Sequence, residues 1–164
     1  MRADSGEDKR IDYVVDLVDL NWYYYAIAVG LFVCVGLIWK RWRIAALIAY
    51  VFFIIAVTVL SRRPFMGNHI ELRPLWSWSV PRLREQVIMN VIGFIPVGII
   101  GGSLWKWKIV PIAAGISLCV ELIQLLTKTG LFEIDDILHN TFGAAIGFGL
   151  FLVVKRIKVR KITT

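Results

Sequence analysis

The chain is poor in the residues that covalent stapling or metal chemistry would need. Of its 164 residues only two are cysteines and two are histidines. Cys34 and Cys119 each sit inside an apolar stretch, which gives neither a disulfide framework nor a CxxC metal pair. Both read as buried packing thiols. HExxH and GxSxG motifs are missing, and His69 and His139 alone cannot build a histidine-rich metal site, so neither a metal nor another cofactor is expected. Charge is scarce as well: 19% of residues are charged against 58% hydrophobic, and the mean hydropathy is +0.69. That balance excludes a water-soluble globular domain and an intrinsically disordered chain alike. The net charge of +7 would suggest nucleic acid in a soluble protein. Here the charge lies at the ends of apolar runs, and no nucleic-acid partner is expected.

What the chain has is apolar length. A bilayer core about 30 Å thick takes roughly 20 helical residues, or about 17 with favourable flanks. Five stretches qualify, at about 22–39, 44–60, 87–105, 109–126 and 137–154, and none holds Lys, Arg or Asp. The fold class expected is therefore all-α, a polytopic transmembrane helical bundle of five spans. Residues 22–164 form the membrane domain and residues 1–21 an extracytoplasmic amphipathic head. In that head Asp12, Asp16 and Asp19 recur at helical spacing, with Val14, Leu17 and Val18 on the other side, which predicts a short amphipathic helix. It lacks a basic n-region and a cleavage site, so no cleaved signal peptide is expected.

Loop charge sets the orientation. Lys40, Arg41 and Arg43 follow the first span, Lys106 and Lys108 the third, and Lys155, Arg156, Lys158, Arg160 and Lys161 the fifth, with no acid among them. The segments 1–21, 61–86 and 127–136 hold 11 of the 12 acids. Basic loops stay cytoplasmic, so the N-terminus is expected outside and the C-terminus in the cytoplasm.

Polar groups inside spans are costly and face protein or water. Asn90 lies near the outer end of span three, Glu121 and Gln124 in the outer third of span four. Asp135, Asp136, His139 and Asn140 open span five. All fall within roughly 10 Å of the outer boundary at 1.5 Å per residue. Helical spacing aligns Ala114, Ser117, Glu121, Gln124 and Lys128 on one face, Asp136, Asn140, Gly143 and Gly147 on another, and Asn90, Gly93, Val97 and Gly101 on a third. Gly98–Gly102 and Gly143–Gly147 match GxxxG, which permits close helix approach. Spans three to five are thus expected to form a tight bundle opening outward into a polar pocket, with Pro96 kinking span three below Asn90.

The run Asn90-Val-Ile-Gly-Phe-Ile-Pro96-Val-Gly98, then Glu121-Leu-Ile-Gln124, then Phe132-Glu-Ile-Asp135-Asp136-Ile-Leu-His-Asn140-Thr-Phe-Gly143 resembles the VanZ-like family of bacterial membrane proteins. The likeness extends over roughly residues 45–155 and includes Leu72-Arg73-Pro74-Leu75 in the outer loop. Many members carry an arginine shortly before the acidic segment, where this chain has Lys128. The resemblance implies a cell-envelope protein connected with tolerance of teicoplanin, a lipoglycopeptide.

Three functions are compatible with these residues. The first is binding of an amphiphile at the outer leaflet, a lipid-linked wall precursor or a lipoglycopeptide. Asn90, Glu121, Gln124, Asp135, Asp136 and Asn140 would form the site, with Arg82 and Arg84 in the aromatic outer loop beside Trp76 and Trp78. The second is a membrane hydrolase or transferase on a lipid phosphate, using Glu121, Asp135, Asp136 and His139. The third is a small transporter or flippase, which five spans without a repeat disfavour unless the chain forms a homo-oligomer. Membrane lipids are partners in every case, and the balance leans away from an enzyme.

Overall fold

The computed structural model describes residues 38–60 and 70–163, together with Ile27, Gly30, Leu31 and Cys34. The head 1–21 and nearly all of the expected span 22–39 lie outside the described residues. The described part is almost wholly helical. A 3-10 turn, Lys40–Trp42, leads into α1, Arg43–Ile55, whose last turn widens into a π segment, Ala56–Leu60. After β1, Ile70–Glu71, come a single turn α2, Trp76–Ser79, and the 3-10 turn Pro81–Leu83. The long helix α3, Arg84–Trp105, is joined through Lys106–Lys108 to α4, Ile109–Thr127; β2, Phe132–Glu133, then precedes α5, Ile134–Thr163.

Two helical stretches among the described residues are long and apolar enough to cross a membrane, Arg84–Thr127 and Ile134–Arg160, and a shorter apolar helix covers Arg43–Val59. The first stretch is not one rod. Lys106 stands at φ 57° and ψ −136°, which no helical residue adopts. Past that break the Ile109 side chain fills the space a Cβ on Gly101 would need, so α4 folds back along α3.

The core lies where α1, α3, α4 and α5 meet: Leu47, Tyr50, Ile54, Phe94, Val97, Ile100, Ile109, Ala113 and Ala144. The tightest seam is α3 against α5. A Cβ on Gly98 would collide with the Ala144 carbonyl, one on Gly143 with the Val91 carbonyl, and one on Gly147 with the Ile95 carbonyl. Only glycine lets two backbones approach so closely, and in an apolar medium such van der Waals contact is a main force between helices.

Proline inside α3 is accommodated. Pro96 has no N–H for the carbonyl one turn earlier, and Tyr50 of α1 donates its hydroxyl to the neighbouring Gly93 carbonyl at 2.7 Å. Outward faces are apolar, with Ile48, Phe52, Leu126 and Phe142 all exposed. The expectation of buried thiols fails here: Cys34 and Cys119 are both free and exposed. An apolar stretch on a helix of this kind has an outer as well as an inner face, and the cysteines sit on the outer one.

Candidate functional site

The end of the bundle farthest from the Lys106–Lys108 turn gathers the polar side chains, and a loop closes over it. Residues 70–83 form a strap across the start of α5. Its first two residues pair in parallel with β2, Ile70 beside Phe132 and Glu71 beside Glu133. Its middle is held by Asp135, which is fully buried. One carboxylate oxygen accepts the backbone N–H of Leu75. The other accepts the Ser77 backbone N–H at 3.0 Å and the Ser77 hydroxyl at 2.5 Å. Leu75 sits at φ 61°, ψ 16°, a left-handed conformation disfavoured for a branched side chain, and the carboxylate fastens the turn there. Further along, Trp78 donates its indole N–H to Nε2 of His139 at 3.2 Å.

Beneath the strap four polar links join the helices to one another and to their neighbours. Asn90 of α3 donates to Asp136 of α5 at 2.7 Å. Asn140 of α5 donates to the Ser117 hydroxyl of α4 at 2.8 Å. Glu121 of α4, 1% exposed, accepts the backbone N–H of Glu133 at 3.0 Å. Gln124 donates to the Thr58 carbonyl at 3.1 Å, meeting one of the carbonyls that the end of a helix leaves without an internal partner. Asn90, Glu121, Gln124, Asp135, Asp136 and Asn140 therefore lie in one polar layer linked to neighbouring elements.

The arginines stand apart from it. Arg84 is exposed and its Nε approaches the Trp78 carbonyl at 3.5 Å, the outer limit for a hydrogen bond. The side chain of Arg82 lies outside the described residues. Arg73, at the strap's tip, makes a two-pronged pair with Glu71 at 2.9 and 2.8 Å and lies over the Trp76 ring at 5.8 Å. That guanidinium holds the Glu71 carboxyl at about 2, well below the usual glutamate value. The outer rim of the strap is apolar and basic together: Leu72, Leu75 and Trp78 are exposed beside Arg73 and Arg84.

Ser77 and Thr58 had no signal in the sequence. Ser77 reads as one small residue between two tryptophans, and its role exists only because Asp135, 58 positions away, faces it. Among the described residues no group of three His, Cys, Asp or Glu side chains is arranged to hold a metal ion. No curated protein and no solved structure matches the chain. The VanZ/LLP1 family model matches residues 22–155, most of the chain, in agreement with the resemblance carried by Asn90, Pro96, Glu121, Asp135 and Asp136. This helical protein, with its polar layer under a pinned strap, belongs to the VanZ/LLP1 family.

Proposed function

We propose that the protein crosses a bacterial plasma membrane five times, N-terminus outside and C-terminus in the cytoplasm, and binds an amphiphile with its outer end. The ligand class is a lipid-linked wall precursor or a lipoglycopeptide, and binding contributes to tolerance of teicoplanin-type antibiotics. The orientation is supported by ten basic residues and no acid on the three loops assigned to the cytoplasm. One observation carries the binding reading: the strap presents Leu72, Leu75 and Trp78 next to Arg73 and Arg84 directly over a layer of buried polar side chains. Apolar and aromatic groups suit an acyl tail and the headgroup boundary, and arginine suits an anionic headgroup. In this reading Asp135 positions the strap, and Asn90, Glu121, Gln124, Asp136 and Asn140 form the floor.

Two experiments test it. A cysteine placed at Ser5 should react with an impermeant reagent from outside, and one placed at Thr163 should not; the reverse pattern overturns the orientation. Lipid mass spectrometry on the purified protein should recover a stoichiometric amphiphile, and much less of it from Arg84→Ala. Recovery of bulk phospholipid alone, equal in both proteins, overturns the binding reading.

A further inference from the structure

The end of the bundle opposite the strap carries bases without acids. From residue 22 onward every Asp and Glu lies at 71–85 or 121–136, towards the strap. The segments 86–120 and 137–164 hold none, and all their Lys and Arg fall at 106–108 and 155–161.

The fold brings those two basic segments to one level. α3 and α5 run away from the strap in the same direction, and a Cβ on Gly102 would meet the rings of Phe148 and Phe151. One helical turn further on, Lys106 therefore stands level with the residues that lead into Lys155. There α3 stops. α5 continues alone to Thr163, about 12 Å past Lys155 at 1.5 Å per residue, and every residue from Leu152 to Arg160 is exposed.

That exposure is ordered. Leu150, Val153, Val154 and Ile157 follow one another by three, one and three residues, which puts them on one side of α5, and all four are exposed. Arg156 and Lys158 flank the end of this stripe, about 100° to either side of Ile157. Trp105 and Trp107 are exposed beside Lys106 and Lys108, and tryptophan next to basic residues is the composition of a membrane–water boundary. Lys106 itself stands at φ 57° and ψ −136°, where glycine alone is free of steric penalty. A lysine there costs the fold and supplies a cation at the boundary.

An apolar track that ends between two cations matches an acyl chain joined to an anionic headgroup. A soluble acidic protein would meet the bases and leave the apolar stripe uncovered. A zwitterionic lipid would bring its own cation to Arg156 and Lys158. We infer that this end of the protein binds anionic phospholipid, an acyl chain lying along Leu150, Val153, Val154 and Ile157 and the headgroup held by Arg156 and Lys158. Lys106 and Lys108 add to the positive field at the same level. The surface is separate from the polar layer under the strap and does not depend on what binds there.

Electron spin resonance on the full-length protein in phosphatidylcholine vesicles tests this, with spin-labelled phosphatidylglycerol compared against spin-labelled phosphatidylcholine. At low salt the phosphatidylglycerol label should associate about 5-fold more strongly, the effect of about one base at an anionic surface. In 1 M salt, where screening acts within about 3 Å, the preference should largely vanish. Arg156→Gln with Lys158→Gln changes only exposed side chains and should bring the two labels to equal association. Lys106→Gly relieves the backbone, so abundance should hold or rise while the preference falls in part. Equal association of both labels with the unaltered protein shows that the bases are merely solvated, and overturns the inference. A preference that survives the double substitution, or that Arg84→Ala removes instead, places the anionic lipid elsewhere and overturns it too.

Discussion

The seam between α3 and α5 is held in two different ways along its length. Towards the Lys106–Lys108 turn, Gly98, Gly143 and Gly147 bring backbone against backbone with no room for a Cβ. Towards the strap, the same two helices are joined by a side-chain bond from Asn90 to Asp136. The glycine half is specified by volume and tolerates nothing larger. The polar half is specified by direction, through a donor on one helix and an acceptor on the other. In the proposed reading, stability rests on the glycine half of this helix pair and function on the polar half.

The largest effect that would sharpen this contrast is expected at Gly143. Gly143→Leu drives a side chain into the Val91 carbonyl, and since backbone cannot yield, the destabilisation should reach or exceed about 3 kcal/mol, the upper end for overpacking. Membrane abundance should fall sharply. Normal abundance would show that the two helices separate more easily than their contact suggests.

Next is Asp135→Asn. The amide turns one hydrogen-bond acceptor into a donor facing the Ser77 and Leu75 donors, a mismatch worth about 1–3 kcal/mol for a buried group. Hydrogen exchange should accelerate across residues 70–83 and leave α3 and α4 protected. Uniform acceleration would mean that the strap is not a separate unit.

Substitutions in the floor should change function more than folding. Glu121→Gln keeps an oxygen to accept the Glu133 N–H, so abundance should be normal while lipoglycopeptide tolerance is lost. Asp136→Asn should behave likewise, since its oxygen can still accept from Asn90. Full tolerance in both would make the polar half a packing device like the glycine half.

The smallest effect concerns pH. Folding the strap lowers the Glu71 carboxyl from its usual value near 4.5 to about 2. A depressed carboxyl contributes stability above the unfolded value and loses it as pH falls from about 4.5 through 2. Because the pair is exposed, salt screens it. Exchange in residues 70–75 should rise slightly below pH 4 in wild type and not in Glu71→Gln.

Much of the helix pattern was legible. The run expected at 87–105 is α3, Arg84–Trp105, and that at 109–126 is α4, Ile109–Thr127. The run expected at 44–60 is α1 with its π segment, and α5 begins three residues before the expected 137. The GxxxG spacing identified the close-packed seam, because a missing side chain is a local property. The site was legible as a depth and not as a set of pairs. Asp135 and Asp136 look equivalent in sequence, yet successive helical residues point about 100° apart. Asp136 faces Asn90 of α3, and Asp135 faces the strap. The cysteines were misread for a related reason: apolar neighbours show that a residue avoids water without showing whether protein surrounds it.

Composition and spacing by themselves determined that this chain forms apolar helices, where charge interrupts them, and which faces could come together. Transfer of apolar surface out of water is non-directional and adds residue by residue, so it can be read along a line. Only the tertiary structure decided that Ser77 meets Asp135, that Trp78 meets His139 and that Gln124 meets Thr58. A hydrogen bond needs its two atoms near 3 Å and aligned, and that condition is set by how distant segments fold onto one another.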